Sequence, residues 1–322
     1  MHTLVLGITL LVTGLSAQAE VSPLMYFTEN RLPVEGDFKS VYEIDLENFT
    51  ARVIYTSDLV LRDVVSAEQS DRMIVHATNY ETGDKEVHLI KRNGELVEKF
   101  QDGVSAVFVD AAGSNMVYTR GELNKNLLTE SRGTWLHDLS TGEEKMIAET
   151  GLYLEWASFN RSLYIRNSGE GGDGFRYLME TGEIEDSDLL YGSFSTAGTY
   201  RWGYMTWGGV YIKNWETDEI VSTEFELLKT RRHATPLYWM SDSLAMLPHY
   251  KLELEDYLLY VETGRTLKAP GRVLSVTNDE KYVYVCKPGL LIEKVAMGEL
   301  EVLYEGKGET SPADGEASAD VE

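Results

Sequence analysis

The residues best able to do chemistry stand in short polar clusters, with no assembled catalytic set. The densest basic run is Lys229-Thr230-Arg231-Arg232-His233, and Arg272 follows at a comparable position one unit later. Arginine pairs grip a carboxylate or phosphate through two parallel N–H bonds, so this run reads as an anion site or a dock for an acidic partner. The plainer alternative is a solvated loop that offsets repulsion, since 29 basic residues face 53 acidic ones and the net charge is −24. A second cluster, Asn167 to Gly174, is glycine-rich and offers hard oxygens from Asn167, Glu170 and Asp173. Such oxygens suit calcium, but the D-x-D-x-D-G spacing is missing and a flexible connector is the other reading. No other cofactor is expected. Three aromatics, Trp156, Tyr191 and Trp239, offer a stacking surface for a peptide or sugar ring, or serve only as packing.

Several chemistries are excluded or left without their parts. There is no G-x-S-x-G and no H-E-x-x-H, and His76, His88, His137, His233 and His249 are scattered. The single cysteine, Cys286, rules out an intramolecular disulfide and a multi-thiolate zinc site. A field this negative repels nucleic acid. Five carboxylates, Asp63, Asp102, Asp110, Glu155 and Asp242, are the nearest candidates for a metal-assisted enzyme site, provided the fold brings them together. No catalytic residue is assigned.

The elements that must position these groups are strands. Apolar and polar residues alternate with a period of two, as in Met73-Ile74-Val75-His76 and Tyr282-Val283-Tyr284-Val285. Near copies of one hairpin turn recur at Ser140-Thr141-Gly142-Glu143, Glu180-Thr181-Gly182-Glu183 and Glu262-Thr263-Gly264-Arg265. Looser versions lie at Asn93-Gly94, Thr217-Asp218, Met297-Gly298-Glu299 and Glu47-Asn48. Gly, Asn or Asp falls where a tight hairpin demands positive φ. These markers lie about 42 residues apart on average, the period of a propeller blade. In phase with them, strand–turn–strand segments begin at Val64, Val107, Leu154, Ser193, Leu237 and Leu274. The fold class expected is therefore all-β: a single β-propeller with seven four-stranded blades, or six as the alternative. Unit one begins at its second strand, Leu24 to Glu29, and no clear strand remains after Glu305 to complete it.

The ends differ in kind. Residues 1–19 read as a signal peptide, with an apolar run from Leu4 to Leu15 and the small-x-small triplet Ala17-Gln18-Ala19, although Lys and Arg are missing ahead of the run. Residues 20–306 form the propeller, and 307–322, acidic and almost devoid of large apolar residues, read as a disordered tail. No stretch, the Leu4–Leu15 run included, is long and apolar enough for a transmembrane helix. An exported protein without disulfides fits the periplasm or a secreted fate.

The strand–turn–strand segments resemble the degenerate W-S-P-D-G repeat of TolB-like and WD40-like exported propellers. Asn278-Asp279-Glu280-Lys281-Tyr282-Val283-Tyr284-Val285 is the closest copy and is also similar to the YVTN variety. Trp156-Ala157-Ser158 and Trp239-Met240-Ser241-Asp242 keep the tryptophan form. The resemblance spans about residues 23 to 306 and implies a propeller that binds through one face. No unit keeps the full Ser-Pro-Asp-Gly turn, and no segment matches the extra N-terminal domain of TolB, so the TolB partners are not implied. The function expected is a non-catalytic module or envelope scaffold that binds a protein or peptide on a propeller face as a monomer. The alternative is a calcium-dependent propeller enzyme, lactonase- or lyase-like, acting on a small molecule or polysaccharide.

Overall fold

The structure is a computed structural model that describes residues 23–123, 129–167, 174–187, 192–204, 210–221, 237–248 and 255–306. The signal-peptide and acidic-tail expectations lie outside these residues. Seven antiparallel sheets follow one another along the chain as the blades of a β-propeller. Blade 1 holds β1 (Leu24–Thr28), β2 (Ser40–Asp45) and β3 (Thr50–Thr56). Blade 2 holds β4 (Val60–Ser66), β5 (Arg72–Thr78), β6 (Lys85–Lys91) and β7 (Leu96–Phe100). Blade 3 holds β8 (Gly103–Phe108), β9 (Asn115–Leu123), β10 (Thr129–Asp138) and β11 (Glu144–Ala148). Blade 4 holds β12 (Tyr153–Ala157), β13 (Ser162–Arg166), β14 (Gly174–Leu178) and β15 (Ile184–Ser187). Blade 5 holds β16 (Gly192–Phe194), β17 (Tyr200–Tyr204) and β18 (Val210–Asn214), with a single bridge from Lys213 to Ile220 where a fourth strand would run. Blade 6 holds β19 (Tyr238–Trp239), β20 (Leu244–Leu247), β21 (Tyr257–Tyr260) and β22 (Thr266–Lys268). Blade 7 holds β23 (Arg272–Val276), β24 (Tyr282–Lys287) and β25 (Leu291–Ala296).

The period of two has a direct physical meaning here. Each blade is covered on both faces, so successive residues of a strand pack against opposite neighbours. On β5, Met73, Val75 and Ala77 pack toward blade 1, while Ile74 packs toward blade 3. On β20, Leu244 and Met246 face blade 7, while Ala245 and Leu247 face blade 5. Burying one such side chain stabilises the fold by about 1.5–3 kcal/mol.

Gly94, Gly142, Gly182, Asp218 and Gly264 all take the positive φ that the hairpin markers require. Two markers behave differently. The left-handed residue of the β2–β3 turn is Phe49, at φ 53°, one place beyond Asn48. Gly298 lies in a 3-10 turn, Met297–Glu299, instead of a hairpin. Met297 and Leu300 insert into the apolar seam between blades 6 and 7 and turn the chain outward. The last strand, β26 (Glu301–Tyr304), therefore pairs with β22 as a fifth strand of blade 6 and leaves blade 7 with three strands. Ring closure rests on side chains: Leu32, Ile44 and Leu46 of blade 1 pack on Leu274, Cys286 and Ile292 of blade 7. Burial in that seam pushes the Cys286 thiol up to about 11.

Polar side chains tie the inner strands into a hoop. Thr28 Oγ1 and Asn30 Nδ2 donate to the Arg62 carbonyl at 3.1 and 3.0 Å, linking blade 1 to blade 2. His76 Nε2 accepts from Ala106 N–H at 2.9 Å, and Ser105 Oγ accepts from Leu154 N–H at 3.3 Å. Glu155 Oε1 accepts from Phe194 N–H at 2.8 Å, and Trp239 Nε1 donates to the Ser193 carbonyl at 3.0 Å. Between blades 6 and 7, buried Asp256 accepts from Val273 N–H at 2.9 Å and pairs with Arg272 at 2.7 Å. These links join each blade to the next from blade 1 to blade 7.

Candidate binding face at the channel mouth

Strands β1, β4, β12, β16, β19 and β23 contribute to the wall of a cavity of about 970 Å³. That volume is at the upper end for ligand pockets, about 300–1,000 Å³. Arg31, Arg62 and Arg166 line it. Lys85 stands beside them, its ammonium 5.3 Å from the Tyr153 ring centre, with the Arg166 guanidinium 5.7 Å from the same ring. Arg31 lies 4.1 Å over the Tyr238 ring, so a side chain of blade 1 reaches blade 6 across the opening. Burial and the neighbouring Arg62 charge both hold Lys85 below the usual lysine range. Three of these cations thus meet aromatic faces, and Arg62 lines the same opening, in a chain whose net charge is −24.

The acidic groups of the wall are already engaged. Asp63 is hydrogen-bonded to His76 Nδ1. Because His76 Nε2 accepts a backbone N–H, the neutral ring donates from Nδ1 to that carboxylate. Burial would raise the Asp63 pKa, but the His76 pairing outweighs it and the carboxyl ionises below its usual range. Glu155 lies 3.5 Å from the buried Arg201 guanidinium, and burial still pushes its carboxyl above the ordinary glutamate range.

The residues singled out in the sequence fall in several places. Arg272 is at the leading end of β23, bound to Asp256. Trp156 packs in the seam between blades 3 and 4. Trp239 packs between blades 5 and 6 and stacks on Tyr200 at 6.5 Å. Asn167 follows β13, and its Oδ1 is buried without a hydrogen bond. Lys229, Arg231, Arg232, His233, Tyr191, Glu170 and Asp173 lie outside the described residues. The five candidate carboxylates do not converge. Only Asp63 and Glu155 reach the cavity. Asp110 accepts from the Ser114 and Asn115 amides within its own turn, and Asp242 accepts from Ser195 Oγ at 2.5 Å and Ala197 N–H at 3.0 Å. Asp102 faces Arg120 at 3.8 Å. Among the described residues, no group of three or more His, Cys, Asp and Glu side chains is placed to hold a metal ion.

Sequence reasoning missed Arg31, Arg62, Lys85 and Arg166. Their signal was phase: Arg166 ends β13, Lys85 begins β6, Arg62 lies near the start of β4 and Arg31 follows β1. Those positions share one face of a propeller.

The fold and this site define a β-propeller with a cationic, aromatic channel mouth. No protein-family model matches the chain, and no curated protein sequence does. Solved structures superimpose on part of the chain. TolB from Acinetobacter baumannii superimposes with a TM-score of 0.49 at 14% identity, over 77% of this chain and 64% of that one. The chain therefore spans less than two thirds of that TolB. An oligogalacturonate lyase in complex with manganese gives a TM-score of 0.42 at 12% identity, covering 66% and 69%. Kluyveromyces marxianus Hsv2 gives 0.41 at 10% identity, covering 82% and 79%. Among the described residues, no helix is long and apolar enough to cross a membrane.

Proposed function

We propose that this protein is an exported, non-catalytic binding module that captures an acidic protein segment at the channel mouth. The observation that carries this reading is the convergence of Arg31, Arg62, Lys85 and Arg166 on one opening of an acidic chain. Local positive potential inside a negative field steers an acidic ligand to that point and repels it elsewhere. Tyr153 and Tyr238 give the ligand apolar ring surface beside the charges. The Lys229–His233 run leads along the chain toward β19, whose Tyr238 is part of the wall, and is proposed to extend the same cationic face. We also propose that the module acts in the periplasm or outside the cell, as a monomer, after cleavage near Ala19.

The test is binding of a labelled peptide rich in Asp and Glu to the wild type and to the Arg62→Glu/Lys85→Glu double variant. The reading requires binding by the wild type and a loss of about tenfold or more in the variant, which is ~1.4 kcal/mol. An absence of binding, or equal binding by both, contradicts it.

A second reading rests on Asn167, whose buried, unbonded Oδ1 opens the glycine-rich segment that also contains Glu170 and Asp173. A calcium ion there would satisfy that oxygen and supports the enzyme alternative. A cation that binds only the folded state raises the melting temperature, so a calcium-dependent rise reversed by EDTA is the outcome this reading needs.

A further inference from the structure

Among the described residues, apolar clusters fill six seams of the ring, and the seam between blades 4 and 5 is built differently. Its described interior carries the Glu155–Arg201 pair and a set of aromatic rings. Phe194 of blade 5 meets Phe159 at 5.2 Å, Tyr164 at 5.1 Å and Trp215 at 4.9 Å. Outside these rings lies a cleft of about 350 Å³, separate from the channel. Tyr164, Tyr211 and Trp215 form its aromatic wall, and Arg176, Asp186 and Lys213 are among its polar groups.

Two features mark the cleft as built space. Tyr211 folds across Gly203 of β17, where an added Cβ would come within 2.6 Å of the tyrosine oxygen. The tip of the Tyr211 ring therefore rests against the strand, and the side chain as a whole is half-buried. The charges are also matched in place: Arg176 faces Glu185 at 3.3 Å, Lys213 pairs with Asp218, and Arg201 faces Glu155. An anion entering here would meet Asp186 and Glu185 and displace an existing partner. A neutral polyhydroxyl ligand meets neither obstacle, because each hydroxyl can accept from an Arg or Lys and donate to a carboxylate. The C–H face of a pyranose ring also suits an exposed Tyr or Trp. The volume is near the small end for ligand pockets, about 300–1,000 Å³, which fits one or two sugar rings.

From these observations we infer that the cleft between blades 4 and 5 is a binding site for a neutral sugar unit, with Tyr211 and Trp215 as the stacking surface and Asp186 as a hydroxyl acceptor at the rim. This site is independent of the proposed capture at the channel mouth.

The experiment follows the indole N–H resonance of Trp215, assigned by its loss in Trp215→Phe, while glucose, galactose and N-acetylglucosamine are titrated in turn. Glucuronate and inorganic phosphate serve as the anionic probes. A saturable shift is expected with at least one neutral sugar, weakened about tenfold by Asp186→Asn and abolished by Tyr211→Ala. Asp186 is exposed, so its variant reads the site without depending on the core. The Arg62→Glu/Lys85→Glu protein should bind the sugar as the wild type does. The inference is overturned if no neutral sugar moves the resonance, if glucuronate or phosphate binds more tightly, or if the shift survives in both cleft variants.

Discussion

The channel mouth and the cleft between blades 4 and 5 use the same ingredients, arginine, lysine and tyrosine, to opposite electrostatic effect. At the mouth the cations gather while the wall carboxylates are taken: Asp63 by His76, and Glu155 by Arg201 from behind. In the cleft each basic side chain stands next to an acidic one. A group of like charges selects for ligand charge and responds to salt. A balanced set selects for hydroxyl geometry and is far less sensitive to salt. Arg201 links the two regions, because it lines the cleft while its partner Glu155 lines the channel.

That link gives the largest expected effect. Arg201→Met leaves the Glu155 carboxylate buried beside an apolar side chain, at a cost of about 3–5 kcal/mol, read as a lowered denaturation midpoint. Adding Glu155→Gln should recover most of the loss, since the amide oxygen still accepts from Phe194 N–H. If Arg201→Met alone is neutral, the pair does not hold this seam.

A smaller effect separates binding from stability at the mouth. Lys85 ionises with difficulty because of burial and Arg62, so the unfolded chain holds its proton more tightly than the folded one. The charge therefore costs stability at neutral pH, and the cost fades as pH rises toward the lysine range. Lys85→Gln should raise the melting temperature while weakening the acidic peptide. A residue of purely structural value would lower the melting temperature instead. The smallest effect is in the pH profile. Peptide affinity should begin to fall at a lower pH than an ordinary lysine with pKa ~10.4 would allow, and Lys85→Arg should flatten the fall.

His88 provides a control in the seam between blades 1 and 2. It is buried between Tyr55 and Glu86, and burial holds its pKa below the usual value. The unfolded state takes up that proton first, so stability should decline as pH falls through about 6.5, with no change in either ligand site. His88→Gln should reduce the decline.

Much of the fold was legible because it is local. Gly142, Gly182 and Gly264 announce hairpins by backbone conformation alone, and alternation along β5 or β20 reports that both faces of a blade are buried. The end of the chain was less legible. Met297-Gly298-Glu299 carries a turn-like glycine, but burial of Met297 and Leu300 between two blades decides the path and sends β26 to blade 6. The sites were harder still. Arg31 and Tyr238 are more than two hundred positions apart in the chain, and only closure of the ring places one over the other. Asp110 and Asp242 illustrate the converse error, since carboxylates in suggestive phase serve to cap turns and join blades.

The most direct test of the central claim is the affinity of the acidic peptide for the wild-type protein across ionic strength. Raising salt from about 0.1 M to about 1 M shortens the screening length from ~10 Å to ~3 Å. Capture by the ring of cations at the mouth predicts an affinity that falls at least tenfold across that range. An affinity unchanged by salt would contradict it and remove the electrostatic basis for the proposed partner.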